Sequence, residues 1–186
     1  MGTAADLECI EVNLPGARRV RLTPGVLDTA AITAFTNGQC HAMAIALSRR
    51  LGRPPALLLS HQSPSPRVSW REMVTNGHVT SSVAAARWDH AVVRLAPDRF
   101  LDATGVRTLS ELRHMFYVDG DVRCTSSPCA SEPRAIVVST SPEQLRELSR
   151  FRRGGLTPNV AAAELFVDAV LANYGRQHST LRNSQG

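Results

Sequence analysis

The most regular apolar pattern in the chain is NGQCHAMAIALSRRLG, residues 37–52, where Met43, Ala44, Leu47 and Leu51 recur at helical spacing and Gly52 supplies a C-terminal stop. The spacing predicts a mostly apolar, buried helix with Thr36 or Asn37 as its N-cap and Cys40 in its first turn. After Pro54-Pro55, the run ALLLS at 56–60 reads as a buried strand. WDHAVVRLAPDRFLDATG then reads as two short apolar strands about a Pro97-Asp98 turn, a hairpin that carries both His90 and Asp102. AIVVS at 135–139 is a further strand. Ser141-Pro142-Glu143-Gln144 combines an N-cap, a proline at the first helical position and a capping-box glutamine, which predicts a helix to about Arg153, before Gly154-Gly155.

Thr157-Pro158 opens the last predicted helix, on which Val160, Val167, Val170, Leu171 and Tyr174 outline an apolar stripe. The remainder, 175–186, reads as a flexible, frayed tail. Two regions lack a sustained period. Residues 1–35 mix short apolar pieces with the turn signals Pro15-Gly16 and Pro24-Gly25, with VRL at 20–22 as a strand. Residues 61–82, rich in Ser and Pro, read as a long loop or two irregular pieces bordering a substrate cleft. The expected fold class is α+β, with the Cys40 helix packed on a mostly antiparallel sheet containing strands 90–95 and 99–104. There is no internal repeat.

Length and composition narrow the class. A chain of 186 residues, 43% apolar and 20% charged, suits a single globular domain over 1–174 with the tail beyond it. No apolar run approaches the roughly 18 residues of a membrane span. The acidic start does not resemble a secretory signal, so a cytoplasmic location is expected. The net charge of +5 suits an acidic partner. However, the arginines are spread singly or in pairs with few aromatics among them, which favours a solvated surface over nucleic-acid binding. All 21 basic residues are arginine, and with abundant alanine this points to a GC-rich source such as an actinobacterium or its phage. The cysteines are Cys9, Cys40, Cys124 and Cys129, without zinc-type C-x-x-C pairs, so no metal or cofactor is expected. Cys124 and Cys129 would need a partner such as His114 to bind one.

Cys40 carries the candidate chemistry. A helix N-terminus and a nearby imidazolium both favour the thiolate, and backbone N–H groups at such an end can also face an oxyanion. Asn37 is a candidate side-chain donor to that oxyanion, and as a helix cap it has an equally good structural role. Of six histidines, His178 lies in the tail and His61 and His78 in the irregular loop. His41 follows Cys40 on the helix, about 100° round from it, and does not face the sulfur. His90 starts a strand, with Asp102 at the end of the partner strand. A two-residue turn at Pro97-Asp98 sets Asp102 opposite Val93, on the other face from His90. An odd loop or a bulge sets it opposite Val92, on the side of His90. A Cys40–His90–Asp102 triad therefore demands the odd loop or bulge. Asp89, the competing carboxylate, points away as the immediate neighbour of His90.

The order Gly38-Gln39-Cys40, then His90 in WDHAVV, then Asp102 in FLDATG resembles the papain-like superfamily. Its transglutaminase-core and arylamine N-acetyltransferase branches are the nearest in pattern, as is a group of short phage and actinobacterial proteins with the same blocks. The resemblance covers roughly residues 35–106. It implies a papain-like fold and acyl transfer on a protein or peptide amide. In that chemistry Cys40 attacks a carbonyl to give a thioester, His90 moves the proton, Asp102 orients the imidazole, and water or an amine resolves the intermediate. Hydrolysis, deamidation and transglutaminase-like crosslinking share the first half-reaction. No aromatic follows Cys40 and no arginine-glycine-glycine lead-in precedes it, which leaves the substrate open. The alternative is a catalytically inactive papain-like scaffold that binds a protein partner in a phage or mobile-element setting.

Overall fold

A computed structural model describes residues 8–60, 74–75, 78–79, 88–117, 135–149 and 156–183. In chain order, β1 (Ile10–Leu14) and β2 (Arg18–Leu22) form an antiparallel hairpin, and α1 (Thr29–Asn37) and α2 (Cys40–Leu51) follow. Then come β3 (Pro55–Ser60), the small pair β4 (Val74–Thr75) and β5 (His78–Val79), and β6 (Trp88–Ala96), β7 (Arg99–Asp102) and β8 (Gly105–Arg107). The remaining elements are α3 (Leu109–Tyr117), β9 (Ala135–Ser139), α4 (Pro142–Ser149), α5 (Val160–Glu164) and α6 (Val167–Asn183). The main sheet has five strands in the order β8-β7-β6-β3-β9, with every neighbouring pair antiparallel. The class is α+β.

Helix α2 is the centre of the molecule. Every residue from Cys40 to Ser48 is buried, because the helix is enclosed by β6 on one side and by α1, α4, α5 and α6 around it. A helix closed in on all sides must be apolar all round, which explains why only His41 and Ser48 are polar from Cys40 to Ser48, and why Arg49 and Arg50 come where the helix leaves the core. Leu57, Ala91, Val93 and Leu101 share the core with α2. The alternate positions Ala56, Leu58, Val92 and Phe100 turn to the other face, where Leu112 and Leu109 of α3 cover them. The centre of the sheet, at β3, β6 and β7, is thus buried on both sides, and truncating Leu57 or Leu101 to Ala should cost about 2–5 kcal/mol.

Several elements differ from the sequence reading. The N-cap of α2 is Gln39, not Thr36 or Asn37. Both expected caps belong to α1, which the pattern did not single out: its N-cap Asp28 accepts from the Ala31 N–H at 2.8 Å. Thr36 bonds back to the Ile32 carbonyl within that helix. The expected 99–104 strand ends early, β7 stopping at Asp102, where a tight turn leads into β8. Helix α3 was also unforeseen, although Thr108 and Glu111 cap each other's N–H groups at 2.6 and 3.1 Å. The expected capping box of α4 is present, with Ser141 and Gln144 exchanging bonds at 2.9 and 3.1 Å.

The last helix is two. Asn159, rather than Thr157, caps α5, and a break at Leu165–Phe166 turns Phe166 into the core against Phe35, ring centroids 5.1 Å apart. Helix α6 then continues past Gly175 to Asn183, beyond the expected start of the frayed tail. A glycine costs a helix only about 1 kcal/mol, too little to stop one already docked. Most of 61–82, Cys124, Cys129 and the predicted end of α4 lie outside the described residues.

Candidate active site

Cys40 is the first residue of α2, at the positive end of its dipole. The chain reaches that point through a tight corner. A Cβ on Gly38 would stand 2.8 Å from Leu14 Cδ2 and 2.9 Å from Pro15 Cδ, so only glycine lets the α1–α2 junction lie against the β1–β2 hairpin. Gln39, itself buried, fixes the next step. Its backbone N–H donates to the Ala34 carbonyl at 2.8 Å and its own carbonyl accepts from Met43. Its side-chain amide donates to the Asn13 carbonyl at 2.9 Å and accepts from the Asn159 N–H at 3.0 Å. The start of α2 is thereby tied to β1 and to the start of α5. The sequence reading missed this residue, since glutamine beside the cysteine acquires its role only from partners far along the chain. Asn37 stands exposed at the end of α1.

His90 lies on β6, paired with Leu58 of β3. The β3–β6 register shifts next to it, between Leu58 and Leu59, and such irregularities twist a strand and re-aim its side chains. A second irregularity decides the triad register. Ala96 pairs with Arg99 across the Pro97-Asp98 turn, but Arg94 pairs with Phe100 and Val93 with Leu101, so Leu95 is the extra residue of a bulge. Continued by one residue, that register sets Asp102 opposite Val92 and diagonal to His90. The bulge supplies what a two-residue turn alone denies. His90 Nε2 donates to Asp102 Oδ2 at 2.8 Å, and Cys40 is within hydrogen-bonding reach of the same imidazole. Because Nε2 is taken by Asp102, Nδ1 is the nitrogen left for the thiol.

The trio is almost closed to solvent, with Cys40 1%, His90 0% and Asp102 3% exposed. Burial works to lower the His90 pKa. The hydrogen bond to Asp102, then the hydrogen bond and charge of Cys40, outweigh it and raise it from 6.5 to about 10. Burial likewise works to raise the Asp102 carboxyl. His90, followed by Thr104, holds it below its ordinary 3.8 instead. The arrangement is a buried ion pair whose oxygens are occupied, the condition under which burial of charge is tolerated. Asp102 Oδ1 accepts both the Thr104 N–H at 2.7 Å and the Thr104 hydroxyl at 2.6 Å. Thr104 was a second miss, although Asp-Ala-Thr-Gly has the residues of a side-chain-capped turn. Gly105, at φ 118°, completes that turn in a conformation that favours glycine.

Of the other histidines, His41 is also wholly buried. Its Nε2 donates to the Leu156 carbonyl at 3.2 Å and its ring meets Trp88 edge-on at 5.9 Å. Its Nδ1 has no hydrogen-bond partner among the described residues. His114 is exposed on α3. Among the described residues, no three His, Cys, Asp or Glu side chains are placed to hold a metal ion, and no helix is long and apolar enough to cross a membrane. Comparison with protein-family models, with curated proteins and with solved structures finds no match to this chain.

Proposed function

We propose that the protein is a cysteine-nucleophile acyl-transfer enzyme of papain-like type, with Cys40 as nucleophile, His90 as general base and acid, and Asp102 as the residue that orients and charges the imidazole. The observation that carries this reading is the continuous chain from Asp102 through His90 to a thiol at a helix N-terminus. An imidazolium beside the sulfur and the helix dipole beneath it both favour the thiolate, offsetting the burial that disfavours it. Attack on an amide or thioester carbonyl forms a C–S bond and an oxyanion at the end of α2. Collapse expels the amine or thiol with a proton from His90, and water or an amine then opens the thioester as His90 takes the proton back. Asn37, close before Cys40 in the chain, remains a candidate donor to the oxyanion.

The near-complete burial of Cys40 favours the second reading, a scaffold that binds a protein partner and leaves the thiol unused. One comparison separates them. Wild type and Cys40→Ser are incubated with a bacterial lysate, and mass spectrometry looks for new amide cleavage, a one-dalton glutamine deamidation or a trapped thioester. The enzyme reading expects such products from wild type, reduced by about three orders of magnitude or more in the variant, which should keep its fold. Equal product profiles from the two would reject it in favour of the scaffold.

A further inference from the structure

We propose that Thr104 is a positioning residue of this site: its hydroxyl and backbone N–H clamp one oxygen of Asp102 so that the other is held toward His90, and Arg107 orients the hydroxyl. The inference rests on the triad reading above and deepens it. Asp102 ends β7 at the mouth of the turn into β8, where it pairs with Gly105. A carboxylate there has a free choice of rotamer unless something fixes it. Both Thr104 donors fall on Oδ1, at 2.7 and 2.6 Å, leaving Oδ2 to His90 at 2.8 Å. The threonine hydroxyl has one proton and spends it on the carboxylate, so its own oxygen can only accept from a further donor. Arg107 Nε provides that donor at 3.1 Å. The guanidinium belongs to the last residue of β8, three residues along the same hairpin from Thr104. Arg107 to Thr104 to Asp102 therefore runs donor to acceptor at each step, and His90, the base that serves Cys40, donates to the other oxygen of the same carboxylate.

Two consequences separate this role from simple support of the turn. A carboxylate that loses a donor binds its proton more readily, so removing the hydroxyl should bring Asp102 protonation to higher pH. Restoring any hydroxyl at position 104 should reverse the change, whatever the side chain's shape. The titratable and charged groups involved are His90 from β6, Cys40 from α2 acting through His90, and Arg107 from β8 acting through Thr104.

The test follows the Asp102 carboxyl by carbon NMR across the acid range in wild type, Thr104→Val, Thr104→Ser and Arg107→Met. Thr104→Val keeps size and the backbone donor but loses the hydroxyl. It should move Asp102 protonation up by about one pH unit or more, roughly tenfold in proton affinity, while Thr104→Ser follows wild type and Arg107→Met shifts the same way by less. An Asp102 titration unchanged in Thr104→Val overturns the proposal, as does a serine variant that behaves like valine. Should Thr104→Val not fold, an unshifted Arg107→Met overturns it instead. The readout needs no turnover, so a clamp that passes this test in a protein without acyl-transfer activity would fault the function proposed above and leave the clamp standing.

Discussion

Two histidines, His41 and His90, are equally buried beside the start of α2, and they differ in everything else. His90 is given a carboxylate on one nitrogen and a thiol on the other, and it is charged by them. His41 is given a backbone carbonyl and the edge of Trp88. A carbonyl oxygen only accepts, so it fixes His41 Nε2 as a hydrogen-bond donor. Burial alone therefore does not distinguish the two. The partner does, and here the partner depends on a single bulged residue, Leu95, that brings Asp102 round to the face of His90.

The sharpest way to break that comparison is to treat both histidines alike. In His90→Gln the acyl-transfer activity should fall by about three orders of magnitude or more, because the proton relay is gone. In His41→Gln, which keeps a donor for the Leu156 carbonyl, activity should stay within a few-fold of wild type and the loss should appear in stability, at about 1–2 kcal/mol. Parallel rate and melting measurements on the two variants decide it. Equal losses of activity would mean that the carboxylate is not what distinguishes them.

A smaller effect should appear in the pH dependence of stability. His90 has a folded pKa raised from 6.5 to about 10. Its contribution is fully present below 6.5 and is lost as pH rises through about 10. Asp102 is held below 3.8, so its contribution is present above that value and is lost as pH falls through its folded pKa. The melting temperature should therefore hold up to about pH 6.5 and decline between about 6.5 and about 10, by about 2–4 °C for each kcal/mol lost in a chain of this size. The alkaline step belongs to the Cys40–His90 pair as a unit. Asp102→Asn removes the leading cause of the raised value, and its melting curve should lose most of that alkaline slope. A slope that survives Asp102→Asn would assign it to other groups.

Much of this geometry was legible in the chain because local signals and burial agreed there. The α2 helix, β3, the β6–β7 hairpin and α4 each have a period, a turn or a cap written in neighbouring residues, and Ser141 with Gln144 behaves as its spacing requires. Two helices went unread for different reasons. Along α1 the alanines and threonines give weak amphipathic contrast, and only Asp28 announces the start. For α3 the signal was present in Thr108 and Glu111 and simply competes with the strand before it. The triad order was readable, and so was the condition that a bulge or odd loop must occur. Its placement at Leu95 was not, since a bulge depends on how two strands settle against β3 and α2. Gln39 lies furthest from local reading, because its partners Asn13 and Asn159 are 26 and 120 residues away.

The central claim is that a buried thiol at a helix start is nevertheless an activated one, and Cys9 supplies an internal reference because it is exposed while Cys40 is buried. Native protein is treated with limiting iodoacetamide at about pH 6, where an ordinary thiol of pKa near 8.5 is less than about 1% thiolate, and peptide mapping follows each cysteine separately. The account expects Cys40 to be alkylated faster than Cys9 despite its burial, and expects that advantage to disappear in His90→Gln. Labelling of Cys9 with Cys40 untouched until the protein unfolds would contradict it, and would leave Cys40 a core residue with an imidazole for a neighbour.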